Sequence, residues 1–224
     1  MWVNPNFEIR HRAAIAALVA EHPLATLVVG DPVRVGHMPL VLESWEDEMV
    51  LLGHVPIADP VARAIAAGGP LTAVFQGESA YVSPNWYADP GLPTYNFSVV
   101  HVEGRCEPLD EAELTAHLLD LAARLEAHTH VPKEHPWQPD DTAFARMAEL
   151  LPRIIGFRLR GASVQAKAKL GQNRSVADRR GAAAALRTSG REDDVVVAEQ
   201  MEAALRMQEQ PEMPHACPHH EDKP

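Results

Sequence analysis

The chain has 224 residues, of which 46% are hydrophobic, and a formal net charge of −11 at neutral pH. This length allows one large domain or one domain with an appendage, and the negative charge disfavours general affinity for nucleic acid or anionic membranes. No apolar run approaches the roughly 20 residues of a membrane span, and the first residues lack the apolar core of a signal peptide. Since two cysteines do not make a disulfide framework, the sequence predicts a cytoplasmic protein without membrane contact.

Strands with few helices are predicted for the first half of the chain. Helical spacing of apolar residues predicts a helix at 8–21. A short helix at 60–67 follows Asp59, which is placed to cap it. Short apolar runs between turn residues predict strands at 24–29, 35–42, 49–55, 71–76, 79–83 and 94–105. This alternation favours a small antiparallel barrel.

Helices are more frequent after residue 110. Asp110 is placed to cap a strongly periodic helix at 111–127. Further helices are predicted at 141–151, 175–186 and 193–207, and strands at 154–159 and 163–170. The segment 128–141 is predicted to be a loop, and the polar, proline-rich end of the chain is predicted to be disordered.

Positive charge is concentrated between Arg158 and Arg191. This segment contains nine lysines and arginines and one acidic residue, Asp178. It could face a phosphate, a propionate or the acidic part of a partner subunit. It could equally be a solvated basic face, and the sequence leaves these alternatives open.

The stretch 73–104 combines many of the chain's few aromatic residues with a high density of polar side chains. Polar groups beside buried strands need hydrogen-bond partners, which a ligand or a dimer partner can supply. We therefore predict a strand-built pocket for a flat, conjugated ligand. Its candidate residues are Gln76, Trp86, Tyr87, Thr94, Tyr95 and Asn96.

Two histidines, His37 and His54, lie on successive predicted strands. Imidazole can ligate iron, or can hydrogen-bond a ring carbonyl or a phosphate, although a single histidine on a strand is more often structural. Cys106 lies in a strand pattern and is predicted to be an unreactive core residue. A histidine- and cysteine-rich stretch at 215–220 lacks a fixed fourth ligand and is interpreted as adventitious metal binding or as having no role.

Linked motifs along residues 1–190 resemble those of the PaiB-type family, which is described as FMN-binding negative transcriptional regulators. In chain order they are HPLATL, GHMPLVL, LLGHVxxADP, VFQGESAYVSPNWY, LPTYNFSVVHVEG, IIGFRLR and KLGQNRxxxDR. The resemblance implies an α+β fold with a split β-barrel of the FMN-binding type, flanking helices and a helical C-terminal region. It also implies a homodimer with cofactor sites at the subunit interface.

The predicted domain organisation follows this resemblance. A split-barrel domain covers 1–190 and includes a helical insertion at about 110–151. A C-terminal helix at 191–209 and a disordered tail at 210–224 complete the chain.

The resemblance implies FMN as the cofactor, and it adds Lys169, Gln172, Asn173 and Arg174 to the candidate cofactor-binding residues. One branch of the family, the piperazate synthases, uses haem b to join two nitrogens of an N-hydroxylated ornithine. In that branch the iron ligand falls in the GH motif, which here is His54. His54 is therefore also the candidate metal ligand if the cofactor is haem b.

Three functions follow from these expectations. A flavin-binding protein, either a regulator or an oxidoreductase, would hold the flavin ring against the pocket strands and the phosphate with cations of the basic segment. A haem enzyme resembling piperazate synthase would act on a small-molecule substrate and pair the propionates with the same cations. A DNA-binding repressor, which the family description implies, has the least support because no helix-turn-helix is evident and the net charge disfavours phosphate contacts.

Overall fold

Seven strands and six α-helices make up the described part of the chain, which comprises residues 1–128 and 136–209 of this computed structural model. The strands are β1 Leu24–Val29, β2 Arg34–Pro39, β3 Val41–Trp45, β4 Met49–Pro56, β5 Pro70–Val82, β6 Thr94–Pro108 and β7 Ile154–Lys169. The helices are α1 Arg12–Glu21, α2 Ala62–Ala66, α3 Glu111–His128, α4 Asp141–Leu150, α5 Val176–Arg187 and α6 Glu192–Glu209. Short 3-10 turns occur at Pro5–Phe7, Pro84–Trp86 and Leu151–Arg153.

The seven strands form one sheet in the order β2-β1-β5-β6-β7-β4-β3. Strand β1 pairs antiparallel with β2 and β5, and β4 pairs antiparallel with β3 and β7. Within the described residues, α-helices interrupt the run of strands only between β4 and β5 and between β6 and β7. The antiparallel pairing also differs from the parallel strands of alternating α/β folds. The predicted α+β class is therefore confirmed.

The chain divides into two compact units that we describe separately. The larger unit contains Met1–Gly77 and Phe97–Ala168. The smaller unit contains Glu78–Asn96 and Lys169–Pro224, of which the structure describes residues up to 209.

Alternating burial on the strands builds the core of the larger unit. On β1, for example, Ala25, Leu27 and Val29 are buried because every second side chain of a strand points to the same face. The same core includes Phe75, Val100, Val102, Phe157 and Leu159. In the smaller unit, α5 packs against α6 through residues that include Ala182, Leu186, Val197 and Met201.

Two predicted strand boundaries are wrong because glycines inside strands resemble breaks in the sequence. The predicted strands at 71–76 and 79–83 form the single strand β5, which runs through Gly77. Those at 154–159 and 163–170 form the single strand β7, which runs through Gly161. A Cβ atom at Gly77 would overlap the Ser98 side chain, and one at Gly161 would overlap Val102. These glycines allow close packing between neighbours and do not end the strands.

Two further boundaries differ because backbone groups bond to distant segments. The predicted strand at 35–42 is divided into β2 and β3 at Leu40, whose N–H donates to the carbonyl of Pro23 at 2.9 Å. The first helix begins at Arg12 and not at residue 8, since the N–H of Ile9 donates to Ala166 at 3.0 Å. A third boundary differs as well, since the short helix α2 begins at Ala62 and not at residue 60, although Asp59 does accept a hydrogen bond from the N–H of Val61.

Several local predictions are confirmed. The N–H of Glu113 donates to the Asp110 carboxylate at 2.8 Å, while the N–H of Asp110 donates to Glu113 at 3.0 Å, so that α3 starts with a capping box. Cys106 is buried, and burial raises the pKa of its thiol to about 12. This value agrees with the predicted unreactive core residue.

Two predicted features lie outside the described residues. They are the tail at 210–224, including its histidine- and cysteine-rich stretch, and the part of the 128–141 loop at 129–135. None of the helices in the described ranges has the length and apolarity that a membrane crossing requires.

Candidate functional site

His54 lies on strand β4 and lines a cavity in the larger unit. The cavity has a volume of about 640 Å³, which is within the range of small-molecule sites. Helices α3 and α4 and the start of β7 provide the other walls. Its lining includes Leu118, Trp137, Thr142, Arg146, Met147 and Leu150.

The alternation of β4 places His54 at this cavity. Leu51, Gly53 and Val55 are buried in the core, so His54 lies on the opposite face, where it is half-buried. A side chain at Gly53 would overlap Leu40 and Phe157. The glycine of the GH motif therefore lets the core pack closely behind the histidine.

His117 of helix α3 is the hydrogen-bond partner of His54. The Nδ1 atom of His54 lies 3.3 Å from Nε2 of His117, and the rings meet edge to face with centroids 5.4 Å apart. Our sequence reasoning missed His117. The available signal was its position between the buried residues Leu114 and Leu121, at helical spacing on the apolar face of α3.

Burial keeps both imidazoles neutral. Desolvation lowers the pKa of His54, and it lowers the pKa of His117 to about 4, with a further contribution from His54. His117 is only 1% exposed, and its Nδ1 atom has no hydrogen-bond partner among the described residues. Nε2 of His54 makes no hydrogen bond within the same residues. These two ring nitrogens are therefore available to other groups.

A second cavity of about 410 Å³ is lined by His117 and by charged residues of the larger unit. Arg158 donates to Glu43 at 2.9 and 3.1 Å and to Glu113 at 3.3 Å. These contacts lower the pKa of Glu43 and raise the pKa of Arg158. The charges beside this cavity are thus largely paired with each other.

In the smaller unit, the predicted residue Lys169 bonds to two other predicted residues. Its ammonium group donates to the hydroxyl of Thr94 and, at 2.8 Å, to the backbone carbonyl of Tyr95. The end of β7 and the start of β6 therefore lie side by side in the smaller unit.

Arg174 and Tyr87 form a second contact in the smaller unit. The guanidinium of Arg174 lies 4.6 Å from the centre of the Tyr87 ring, a cation–π geometry. Burial is the main reason that the pKa of Tyr87 is raised. The preceding turn depends on Gly171, whose φ of +80° favours glycine, and on Gln172, which accepts the N–H of Leu170 at 2.7 Å.

Asp178 holds the loop after strand β5 against helix α5. Its buried carboxylate accepts the N–H groups of Ala88 at 2.9 Å and Asp89 at 3.2 Å. Helix α5 also approaches the backbone so closely that a Cβ at Gly181 would overlap the carbonyl oxygen of Trp86. Trp86 therefore contributes its backbone to the packing of this loop.

The remaining predicted residues have different surroundings. Asn96 is buried and donates to the sulfur of Met201 at 3.2 Å, whereas its Oδ1 atom has no partner within the described ranges. Asn173 and Gln76 are exposed. His37 is exposed on β2, with Nδ1 3.2 Å from the hydroxyl of Thr26. Strands β2 and β4 are not hydrogen-bonded neighbours in the sheet order, so His37 and His54 do not lie on paired strands.

Several cations of the basic segment pair with the chain's own carboxylates. Arg158 pairs with Glu43 and Glu113 as described, and Arg160 contacts Glu48 at 2.7 Å and Glu107 at 2.8 Å. Arg187 likewise contacts Glu202 at 2.7 Å and Glu199 at 3.5 Å. Within the described residues this part of the segment is neither a free basic face nor an open anion site.

The fold and the cavity define the class of protein. Solved split-barrel structures resemble this chain, including an FAD- and haem-binding protein from Mycobacterium smegmatis, with a TM-score of 0.54 and 14% identity over 73% of this chain and 74% of that one. The flavocytochrome Anf3 from Azotobacter vinelandii has a TM-score of 0.53 and 16% identity over 74% of this chain and 72% of its own. The predicted split-barrel fold is thereby confirmed.

The family follows from the sequence match. The model of the family described as "Putative FMN-binding domain" matches residues 1–162, and the chain belongs to this family. The chain is also 28% identical, over 211 residues, to the protease synthase and sporulation protein PAI 2 of Bacillus subtilis, covering 93% of this chain and 100% of that protein. The resemblance to the PaiB-type family is confirmed. The family match includes His54 and the lining of its cavity, and it ends before Lys169.

Proposed function

We propose that the cavity beside His54 is the cofactor site of this chain, and that the chain is an FMN-dependent redox protein. The main observation is the cavity itself, with its volume of about 640 Å³ and largely apolar walls. Its charged and titratable lining residues are Arg146, His54 and Asp140, and the Asp140 carboxylate already accepts the N–H of Ala143. The family description supports a flavin, and the matched residues include every described residue that lines the cavity.

The lining residues fit the parts of FMN. Trp137 and Met147 offer polarisable surface to a flat ring, and the imidazole of His54 offers it a hydrogen bond. Arg146 makes no ion pair among the described residues and can form charge-assisted bonds with the phosphate. Bound FMN would supply hydride and electron transfer, while these side chains orient the ring and exclude water.

Haem b is the second candidate for the same cavity, and His54 is the observation that favours it. Its Nε2 atom is not engaged by the described residues, and burial favours the neutral form that binds iron. Of two proteins of similar fold, one is named for binding FAD and haem, and the other is named a flavocytochrome. These names support haem as a cofactor of this fold. The chemistry would then resemble N–N bond formation on an N-hydroxylated amine.

We favour an oxidoreductase over a DNA-binding regulator. Phosphate contacts dominate the affinity for DNA and need unpaired cations. Arg158, Arg160 and Arg187 of the basic segment already pair with carboxylates of the same chain. A mobility-shift titration across salt concentrations tests this choice, and tight salt-dependent binding to duplex DNA would contradict it.

A homodimer is part of the proposal. Tyr81 and Tyr95 form an edge-to-face pair with centroids 5.9 Å apart, although both are about half exposed, and Leu92 nearby in sequence is 76% exposed. Exposed apolar groups of this kind are typical of association surfaces. Light scattering of the wild type should give twice the monomer mass, and Tyr95→Lys should shift the protein towards monomer.

Titration with FMN and with riboflavin tests the flavin assignment. Arg146→Ala should weaken FMN about tenfold or more, since a hydrogen bond to a charged group contributes about 1.5–3 kcal/mol. Riboflavin, which lacks the phosphate, should bind the variant and the wild type equally. Arg153→Ala, at another exposed arginine of the same unit, is the matched control and should change neither affinity.

Titration with hemin tests the alternative. His54→Ala should abolish the spectrum of histidine-ligated iron, whereas His37→Ala, at an exposed strand histidine, should retain it. Binding of neither FMN nor hemin would overturn both assignments. A loss of FMN affinity in Arg174→Ala but not in Arg146→Ala would instead place the phosphate in the smaller unit and contradict the cavity assignment.

A further inference from the structure

A third cavity lies in the larger unit and shares no lining residue with the cavity beside His54. It has a volume of about 590 Å³, which is within the range of small-molecule sites. The turn between β1 and β2 forms one side and helix α2 another, and the start of β5 contributes Pro70. The proposed cofactor site leaves this cavity without a role.

Close packing fixes the elements around the third cavity relative to each other. A Cβ atom at Gly36 of β2 would lie 3.1 Å from Oδ1 of Asp59 and 3.2 Å from the side chain of Val61. Oδ1 of Asp59 in turn accepts the N–H of Val61 at 2.9 Å. Strand β2 therefore packs directly against the segment that leads into α2. The third cavity is thus formed in advance by the fold, as small-molecule sites usually are.

Two arginines from different elements line the third cavity, Arg34 at the start of β2 and Arg63 in α2. Within the described residues neither forms an ion pair, and the hydrogen bond of the Arg34 side chain goes to the backbone carbonyl of Val33 at 3.0 Å. Beside the second cavity, in contrast, Arg158 is paired with Glu43. Two unpaired guanidiniums at one concave site attract an anion and can bond a phosphate through several N–H groups.

The other lining residues limit the kind of anion. Pro32, Pro60 and Pro70 supply apolar surface, while the carboxylate of Asp31 has no partner among the described residues. A carboxylate repels a bare phosphate, but it accepts hydrogen bonds from the hydroxyl groups of a ribose. The lining therefore fits a phosphate ester with hydroxyl groups and an apolar body better than it fits inorganic phosphate.

We propose that the third cavity is a binding site for a nucleoside phosphate. The phosphate bonds to Arg34 and Arg63, the ribose hydroxyls donate to Asp31, and the base lies against the proline surface. This assigns a second small-molecule site to the larger unit. It does not depend on which cofactor occupies the cavity beside His54.

Calorimetric titration of the full chain with AMP, adenosine and inorganic phosphate tests the site. The wild type should bind AMP more tightly than either of its parts. Arg34→Ala and Arg63→Ala should each weaken AMP about tenfold or more, since each removes a hydrogen bond to a charged group, and neither should change adenosine. Arg153→Ala, at an exposed arginine outside the cavity, is the matched control and should bind AMP as the wild type does. An AMP affinity that is unmeasurable, or that is equal in all four proteins, would overturn the proposal.

Asp31→Ala separates a nucleoside phosphate from a simple anion. Loss of the ribose contact should weaken AMP about two- to tenfold, whereas loss of the negative charge should strengthen inorganic phosphate. Asp31→Asn keeps an acceptor oxygen without the charge and should retain most of the affinity for AMP. It also covers the case in which the alanine variant does not fold. Tighter binding of both AMP and inorganic phosphate to either variant would overturn the nucleoside assignment.

A competition experiment separates this site from the proposed cofactor site. Saturating FMN should change the affinity for AMP by less than about twofold, because the two cavities share no residues. Displacement of AMP by FMN together with a loss of FMN affinity in Arg63→Ala would show a single site for both ligands and overturn the proposal. Failure of the wild type to bind FMN would overturn the flavin assignment alone, since the AMP titration is made without cofactor.

Discussion

The two units of the chain surround their buried polar and titratable side chains differently. In the larger unit, burial raises the pKa of Cys106 and lowers the pKa of His117, so both are neutral at pH 7. In the smaller unit, Asp178 is buried but accepts two backbone hydrogen bonds, and Arg179 donates to Gln208 at 2.5 Å. A buried group without a strong partner loses its charge, whereas a hydrogen-bonded one can keep it.

A polar side chain near a sheet can therefore have one of two roles. It can complete the hydrogen bonds of the fold, or it can be available to a ligand. The polar residues of the smaller unit bond mainly to each other and to its backbone, so much of their pattern is explained by the fold. In the larger unit, ring nitrogens of His54 and His117 lack partners among the described residues. A neutral imidazole nitrogen of this kind can bind a metal ion or share a hydrogen bond with a ligand.

The largest expected effect is a loss of folding stability at high pH, caused by the buried thiol of Cys106 in the larger unit. The thiol of Cys106 has a pKa of about 12 in the folded chain, against about 8.5 when unfolded. Above pH 8.5 the unfolded thiol ionises and the folded one does not, so stability is lost as pH rises. The loss should be about 1.4 kcal/mol per pH unit between about pH 9 and 12.

Denaturant unfolding of the wild type and Cys106→Ala across this range measures the effect. The alanine variant should be less stable at pH 7, and its deficit should shrink as pH rises because it lacks the ionising group. A deficit that stays constant from pH 7 to 11 would show that Cys106 titrates normally in the folded chain. Cys217→Ser serves as the background for both proteins, so that only one thiol is compared.

The next effect tests the close packing of the smaller unit. Gly181→Ala places a methyl group on the carbonyl oxygen of Trp86. Overpacking against backbone should destabilise the chain by roughly 2–3 kcal/mol. Gly30→Ala, where no atom lies within 4 Å of the added carbon, should change the unfolding free energy by less than about 0.5 kcal/mol. Equal stability of the two variants would contradict this packing.

How far the sequence predicts the structure depends on how local each feature is. Strand β1 and the capping box of Asp110 and Glu113 are specified by nearby residues, and both are predicted correctly. Strands β5 and β7 are predicted as fragments, because Gly77 and Gly161 are read as breaks. Their role is to let other segments approach, which a single sequence does not reveal.

The candidate site, too, is predicted poorly where it depends on residues that are distant in the sequence. Of the predicted cofactor-binding residues, those around Lys169 and Thr94 lie in the smaller unit, whereas His37, His54 and Gln76 lie in the larger one. His117 is missed because its partner lies 63 positions away and its helix pattern is that of an ordinary core residue. The pairing of Arg158 with Glu43 is missed for the same reason, and it changes the interpretation of the basic segment.

A smaller effect on stability tests the two backbone hydrogen bonds that the carboxylate of Asp178 accepts. Asp178→Ala leaves the N–H groups of Ala88 and Asp89 without their acceptor and should destabilise the chain by about 2 kcal/mol. Asp178→Asn keeps an acceptor oxygen and should cost about half as much. Thermal or denaturant unfolding at pH 7 measures both. An asparagine variant as unstable as the alanine variant would show that the charge itself is required.

The smallest effect concerns Arg174, which the sequence predicts to bind the cofactor phosphate. Its described contact is the stack on Tyr87, worth about 0.5–1 kcal/mol at a partly exposed site. Arg174→Ala should therefore reduce stability by less than about 1 kcal/mol and raise the pKa of Tyr87 further, since the arginine lowers it. If the phosphate lies at Arg146, the FMN affinity of this variant should stay within about threefold of wild type. An unchanged Tyr87 titration would contradict the stack, while a large loss of FMN affinity would show that the smaller unit, despite its internal bonding, holds part of the cofactor.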